Sequence, residues 1–305
     1  LPMAASSLLD AFLAANPLPP EIDVDALRRG WLALRPPFCV RQRHLPLPPW
    51  ARRPLAESGP EAWQILRREV PAIEPTRPYC VYVHVPFCAQ RCAFCDCYSF
   101  RLGAHHERHV AAYLDLLAAE LRAWAGLGCL AGRPLSTVHL GGGTPTFLGP
   151  GGLERLVALL RQHLAPAPET EWALESTAAD LSPAMMACLE ALGFARLHVG
   201  VQSLDDGVRQ ALGRRLPAAD VLAALEGAVA RGWVVSVDLV CGLPGQTLAG
   251  LLHDVAVLSA AGVDGFSLYE LQLSPRNRAF ARRHGLEGRD RAQNYLVAAV
   301  TSQFL

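Results

Sequence analysis

Apolar residues along this chain change period many times. Val81-Tyr82-Val83-His84-Val85 is a β-branched and aromatic run, which predicts a strand. Over 107–126, Val110, Tyr113, Leu114, Leu117, Leu121 and Trp124 recur at helical spacing. The alternation then repeats. Strands are predicted at 137–140, 172–175, 196–201, 234–240 and 265–269. Between them, Leu153, Leu156, Val157, Leu160 and Leu164 share one face of a helix over 152–164. Ser182 and Pro183 open the next helix and Gly193 closes it. Further helices are predicted near 205–213, 218–231, 248–261 (ended by Gly262) and 289–304.

Six strand–helix units in series predict an α/β fold with parallel strands and right-handed crossovers. A six-unit partial barrel and an open doubly wound sheet both satisfy this pattern. In either, ligands gather at the C-terminal ends of the strands. Residues 1–78 read differently. Proline pairs in or beside 17–20, 36–37 and 46–49 resist regular structure, so the segment is read as a loose arm with short helices near 5–15 and 23–33.

Of 305 residues, 51% are hydrophobic and 18% charged, which is a globular composition. The formal net charge is zero, which argues against a nucleic-acid partner. No apolar run is long enough for a membrane span, and no secretory signal opens the chain. The chain begins at Leu1 rather than Met, so it is read as a fragment or a processed form.

Nine cysteines are present, and Cys88, Cys92, Cys95 and Cys97 crowd one short segment. A tight cluster in an enzyme-sized chain favours metal ligation in a reducing compartment, hence the cytoplasm, over a disulfide framework. Three thiolates at CxxxCxxC spacing, on a loop straight after a strand, can face one 4Fe–4S cubane and leave one iron open. Two other readings stand beside this one. The thiols could be inert core residues, or zinc could take them with Cys97 as fourth ligand. Gly141, Gly142 and Gly143 between a strand and a helix let backbone approach a ligand, though such a triplet is most often a turn. Glu175, Gln202 and Asp238 end or approach the ends of strands, and Arg214 can pair with a carboxylate. His84, His139 and His198 are read as satisfied core or rim histidines, and Cys129, Cys188 and Cys241 as buried thiols. Arg28, Arg29, Arg35, Arg41 and Arg43 form a basic cluster, read as a solvated face in preference to a binder of substrate carboxylates.

The run Tyr82-Val-His-Val-Pro-Phe-Cys88-Ala-Gln-Arg-Cys92-Ala-Phe-Cys95-Asp-Cys97 resembles the opening motif of the radical S-adenosylmethionine superfamily. It most resembles the branch of oxygen-independent coproporphyrinogen III oxidase and its relatives. The resemblance continues through Gly141-Gly-Gly-Thr-Pro-Thr146, Gly200-Val-Gln-Ser203, Leu212-Gly-Arg-Arg215 and Asp238-Leu-Val-Cys-Gly-Leu-Pro-Gly-Gln-Thr247, covering roughly residues 79–275. It implies a partial (β/α)6 parallel barrel after an N-terminal arm over 1–78, with a core domain over 79–305 that lacks the family's C-terminal domain. It implies a 4Fe–4S cluster on Cys88, Cys92 and Cys95, with S-adenosylmethionine as the second cofactor. Positions that match the family's cofactor contacts are Tyr82, Phe94, Gly142, Gly143, Thr144, Glu175, Gln202, Arg214 and Asp238. The implied partners are an electron donor such as flavodoxin or ferredoxin and a small-molecule substrate, a tetrapyrrole or heme. Oxidative decarboxylation of propionate side chains is the leading activity; a heme chaperone and a radical methyltransferase are the alternatives. Cys97 resembles the oxidases, whereas the arm lacks the Pro-Arg-Tyr-Thr-Ser-Tyr-Pro-Thr-like segment that oxidases carry.

Overall fold

The computed structural model describes residues 5–38, 58–69, 76–286 apart from 96, 104 and 129, and 291–305. Three helices come first: α1 (Ala5–Ala15), α2 (Val24–Phe38) and α3 (Gly59–Glu69). Then follow β1 (Tyr79–Val85), the two-residue strands β2 (Phe87–Cys88) and β3 (Phe100–Arg101), α4 (Glu107–Ala125) and β4 (Leu135–Gly142). The series continues with α5 (Gly149–Leu164), β5 (Glu171–Ser176), α6 (Pro183–Ala191), β6 (Arg196–Gln202), α7 (Asp206–Ala211), α8 (Ala218–Val229) and β7 (Val234–Cys241). It ends with α9 (Leu248–Ala260), β8 (Gly265–Glu270), α10 (Arg278–Arg283) and α11 (Arg291–Phe304).

The main sheet has six parallel strands in the order β1-β4-β5-β6-β7-β8. This order decides between the two architectures left open by periodicity. A doubly wound sheet must reverse its strand order at a switch point. Here the order is monotonic, and right-handed crossovers then lay every helix on the same face. That is the arrangement of a partial barrel. Among the described residues no ladder joins β8 to β1, so the sheet stays open.

Alternation along the strands separates two faces. Val83, Val85, Val138, Leu140, Leu174, Leu197, Val199, Val235 and Val237 are all buried under the helices. They meet Leu114 of α4, Leu153, Leu156 and Leu160 of α5, and Leu225 of α8. Each such side chain contributes on the order of 2 kcal/mol by leaving water. The opposite face carries Tyr82, His84, His139, Glu175, His198, Ser236 and Asp238, half-buried or exposed. Polar residues in these strands thus mark the inner face of the curve.

Local signals bound the helices, with Ser182, Pro183, Gly193 and Gly262 placed as the sequence predicts and Asp205 and Thr247 as further N-caps. The side chains of Ser182, Asp205 and Thr247 accept from the N–H groups of Met185, Val208 and Gly250. Gly193 and Gly262 follow α6 and α9 with φ of 87° and 82°.

The N-terminal segment departs from the expectation of a loose arm. Leu9, Phe12, Ile22, Leu27 and Trp31 pack against Leu248 and Leu252 of α9 and against Leu296 and Val300 of α11. α2 also runs through Pro36 and Pro37 to Phe38. α3 carries no predicted signal; it leans on α4 through an edge-to-face contact of Trp63 with Trp124 at 5.2 Å. Arg28 and Arg29 lie at the surface and pair with Asp10 and Asp23. The Arg35 side chain, Arg41, Arg43 and the prolines of 46–49 lie outside the described residues, as does Cys129. Cys241 is buried as expected, whereas Cys188 is partly exposed on α6.

Candidate radical-enzyme active site

The cysteine segment is a loop held at both ends. Cys88 closes β2, which pairs with β3, and Leu102 N–H donates to the Cys88 carbonyl at 3.1 Å. Cys95 N–H donates to the Cys92 carbonyl at 3.1 Å, so these two cysteines share a single turn. Thr144 Oγ1 donates to Cys88 Sγ at 3.6 Å, and Cys97 N–H to Cys95 Sγ at 3.4 Å. More distant segments pin the loop. Gln90 Nε2 donates to the Gly213 carbonyl, and Arg276 Nη1 to the Cys97 carbonyl. Asn277, 1% exposed, donates to the carbonyls of Phe94 (2.8 Å) and Gln272 (2.6 Å).

Cys88, Cys92 and Cys95 are free thiols, partly exposed. Among the described residues, no three His, Cys, Asp or Glu side chains converge on one point as a single zinc ion demands. A cubane instead offers each thiolate its own iron and needs them spread around it. Burial raises the Cys88 thiol pKa; a hydrogen bond with Cys97, then burial, raises that of Cys95. A metal reverses that preference by deprotonating a thiol it binds.

The glycine run lies across from this loop. Gly143 N–H donates to the Val85 carbonyl and Thr144 N–H to the Phe87 carbonyl, so the run is laced to the strand that leads into Cys88. A Cβ on Gly143 would sit 2.5 Å from the Phe87 carbonyl oxygen. At Gly142, with φ of 111°, it would meet the His84 ring at 2.7 Å. Only glycine fits either position.

Glu175, at the end of β5, accepts from Gly142 N–H at 3.0 Å and from His139 Nε2 at 3.0 Å. Burial, the largest single influence, would raise its pKa, but those two hydrogen bonds together with the attraction of His139 and His198 hold it below the usual carboxylate value. His139 stacks on Tyr82 at 5.7 Å and lies 5.2 Å from His198, whose Nδ1 shares a 2.5 Å hydrogen bond with Ser236 Oγ. All three strand histidines are hydrogen-bonded, as read from the sequence; His84 bonds Tyr82 and the Tyr98 carbonyl. His139→Ala is expected to leave burial acting on Glu175 unopposed by its partner, so the Glu175 pKa should rise. An NMR pH titration of carboxyl-labelled protein reads this directly, and an unmoved titration would remove His139 as its support.

Gln202 ends β6 where its pairing with β7 slips. Its φ is 66°, a left-handed conformation that costs a non-glycine residue about 1–2 kcal/mol. The residue is 6% exposed, and its side-chain oxygen is buried with no partner among the described residues. Arg214 Nη1 donates to the Gly200 carbonyl at 2.8 Å, while its buried Nε is likewise unpartnered. An orphaned acceptor and an orphaned donor, together with local strain, are signs of a place shaped for a ligand. Asp238 faces them from β7. Burial, then repulsion by Glu175, pushes its pKa up to about 6 against an ordinary 3.8, partly offset by Ser267 and Arg214.

One cavity of about 560 Å³ joins most of these groups, a volume typical of small-molecule sites. Tyr82, Phe94, Gly142, Glu175, Gln202, Asp238 and Cys95 line it. A second hollow of about 220 Å³ also borders the cysteine loop, lined by Cys92, Thr144 and Arg214 among others. The structure therefore gathers the predicted residues around one loop, but in two neighbouring hollows. Sequence reading missed Tyr98, Tyr269, Glu270 and Gln272 on the cavity wall. It also missed Arg209, buried and bonded to the carbonyls of Val201, Ser203 and Leu216, which fixes the turn that carries Arg214. Position at the end of β8 could have signalled Tyr269 and Glu270; nothing in the pattern announces Arg209.

Residues 82–258 match the radical SAM superfamily, which is more than half of the chain. The chain belongs to the radical SAM superfamily. It is 34% identical over 225 residues to the heme chaperone HemW of Mycobacterium tuberculosis, covering 70% of this chain and 55% of that one. It is 32% identical over 242 residues to anaerobilin synthase of Escherichia coli O157:H7, covering 78% and 52%. Among solved structures it resembles the radical SAM enzyme coproporphyrinogen III oxidase (HemN) of Escherichia coli, with a TM-score of 0.70 and 29% identity, covering 81% of this chain and 56% of that one. The chain spans about half the length of the curated relatives it matches. Radical SAM proteins use a 4Fe–4S cluster and S-adenosylmethionine, and the residues present fit both. Three unpaired thiols share one loop, glycines clear a cradle beside it, and buried polar atoms of Gln202 and Arg214 await partners. No described helix is long and apolar enough to cross a membrane.

Proposed function

We propose that this chain is a radical SAM enzyme acting on a tetrapyrrole, with oxidative decarboxylation of a propionate side chain as its reaction. When bound, the cluster and S-adenosylmethionine together supply a 5′-deoxyadenosyl radical. Cys88, Cys92 and Cys95 hold the metal. Gly142, Gly143 and Thr144 bring backbone to the amino-acid end of the cofactor, and Arg214 pairs with its carboxylate. Glu175, Gln202 and Asp238 take its ribose hydroxyls and amino group, while Tyr82 and Phe94 wall the site. Glu175, held ionised, favours the cationic sulfonium.

The observation that carries the tetrapyrrole reading is the rest of the cavity wall. Beyond the cofactor groups it sets Tyr98, Tyr269, Leu271 and Val240 beside the polar His84, Glu270 and Gln272. Tyr82, Tyr98 and Tyr269 are each more than half exposed, an aromatic lining suited to a flat ring. Cys97 on the same wall supports an oxidase. The likeness to a heme chaperone over 225 residues favours a second reading, a heme carrier that keeps the cofactor site.

The experiment is isotopic. Cluster-loaded protein is given S-adenosylmethionine, a strong reductant and tetrapyrroles deuterated on their side chains. An enzyme is expected to pass deuterium into 5′-deoxyadenosine and release carbon dioxide. Saturable heme binding without isotope transfer from any tetrapyrrole would establish the carrier instead.

A further inference from the structure

We propose that Asp254, buried in α9, is a positioning residue of the cofactor site: with Arg209 it locks the exit of β6, so that Gln202 keeps its left-handed backbone and presents its amide to S-adenosylmethionine. The proposal rests on the reading that Gln202 contacts the cofactor.

Asp254 stands apart on its own helix. Its buried companions there are Leu248, Leu251, Leu252, Val255 and Leu258, all aliphatic. It is 3% exposed. A carboxylate in such a place destabilises the fold unless its oxygens are bonded, and an aliphatic residue would pack there at less cost. Its bonds go to one short stretch of chain. Oδ2 accepts from Ser203 Oγ at 2.7 Å and from Leu204 N–H at 3.0 Å. Ser203 Oγ in turn accepts from the N–H of Asp205, the N-cap of α7, at 3.1 Å. Burial pushes the pKa of the Asp254 carboxyl up, and the two bonds pull it back toward the ionised form. Arg209 holds the same stretch from α7. Its Nη1 donates to the carbonyls of Val201, at 3.0 Å, and Ser203, at 2.9 Å, one on each side of Gln202. Two buried charges of opposite sign thus grip the backbone around one residue.

Gln202, with φ of 66°, lies inside that grip. Left to itself, a non-glycine residue leaves the left-handed region, so the conformation persists only where its surroundings over-determine it. What the conformation achieves is visible at Gly200. A Cβ built there would sit 2.8 Å from Gln202 Nε2 and 3.6 Å from Arg214 Nη2. The slip in the β6–β7 pairing between Gly200 and Gln202 folds the side chain back over the strand. It gathers the Gln202 amide and the Arg214 guanidinium over one glycine, and these are the two groups with buried orphaned atoms described above. A relaxed strand conformation would turn the amide away from Arg214. Asp254 bonds neither group and acts through the backbone alone.

The test measures anaerobic binding of S-adenosylmethionine to cluster-loaded protein by calorimetry, with iron content and urea midpoints alongside. Asp254→Leu is expected to weaken binding roughly ten-fold. Asp254→Asn keeps an oxygen for both bonds and should bind within about two-fold of the parent. The decisive comparison uses Gln202→Gly, because glycine takes positive φ freely and has no amide to aim. That variant should itself bind weakly, and adding Asp254→Leu should cost it nothing further. An Asp254 that merely supports the fold would lower affinity by the same factor in both backgrounds. That outcome, or unaltered binding in Asp254→Leu alone, would overturn the positioning role and leave Gln202 in the site. Unaltered binding in Gln202→Gly would instead remove Gln202 from the cofactor site, and the proposal with it. Should Asp254→Leu fail to fold or lose its iron, Ser203→Ala, which removes one of the two bonds and no charge, repeats the cycle.

Discussion

Replacing Cys88, Cys92 or Cys95 by Ala is expected to empty the protein of iron, from about four atoms per chain to near none. Cys97→Ala is expected to keep the full complement. The difference follows from the loop. Cys88 ends a strand beneath Thr144, and Cys92 and Cys95 share one turn, so all three sulfurs are carried by hydrogen-bonded backbone. Cys97 is exposed, and both its thiol and its backbone N–H meet Cys95, so it partners a ligand already in place. None of the four belongs to the buried aliphatic core, so truncation should shift folding stability by no more than about 0.5 kcal/mol. Loss of metal would then be loss of a ligand and not of the fold. Iron and sulfide analysis after anaerobic reconstitution, with circular dichroism beside it, separates the two. Stoichiometric zinc and no iron in the unaltered chain would end the cluster reading.

Asp238→Asn should make the cofactor-free protein more stable while weakening its hold on S-adenosylmethionine. In the folded chain Asp238 keeps its proton up to about pH 6, whereas the unfolded chain gives it up near 3.8. Between those values the native state binds more protons than the unfolded one, so stability falls as pH rises. Above pH 6 the full cost, on the order of 2–3 kcal/mol, is present. Below pH 4 it vanishes. Urea midpoints should therefore separate the variant from the parent at pH 8 and coincide near pH 4. A cation placed between Glu175 and Asp238 relieves the same repulsion, so binding near pH 6 should expel a proton. Calorimetry in buffers of different ionisation heat detects that proton, and the variant should release none. Equal proton release by both would remove Asp238 from the site.

How much of this was legible beforehand depended on the kind of signal. Strands such as Val81 to Val85 announce themselves through β-branched runs, and Ser182 with Pro183 places the start of α6 to the residue. The cysteine spacing and the Gly141 to Thr144 run pointed to the loops that meet in the site. Strand order did not follow from periodicity, because the succession of strands and helices along the chain is the same in a monotonic and a reversed sheet. The first two helices were legible near 5–15 and 23–33, but their docking on the core was not. Leu9, Phe12, Leu27 and Trp31 do form a stripe, but the neighbouring prolines outweighed it, and the partner surface on α9 and α11 lies more than 200 residues away in sequence. Asn277 and Arg209 were illegible for a deeper reason. Their burial is a product of tertiary packing, and a polar residue in a short loop carries no mark of what it will later hold.

The grip of Asn277 and Arg276 on Phe94 and Cys97 has a consequence in time. A ribosome releases the cysteines first and the residues that clamp them about 180 positions later. At ordinary translation speeds the interval is roughly 10–40 s. Throughout it the three thiols hang on a segment whose shape is not yet enforced, open to stray metals and oxidants. The clamp therefore acts as a clock: this chain can present a finished iron site only after synthesis has passed Asn277, and scaffold proteins that deliver clusters would meet a core whose six strands have all been made.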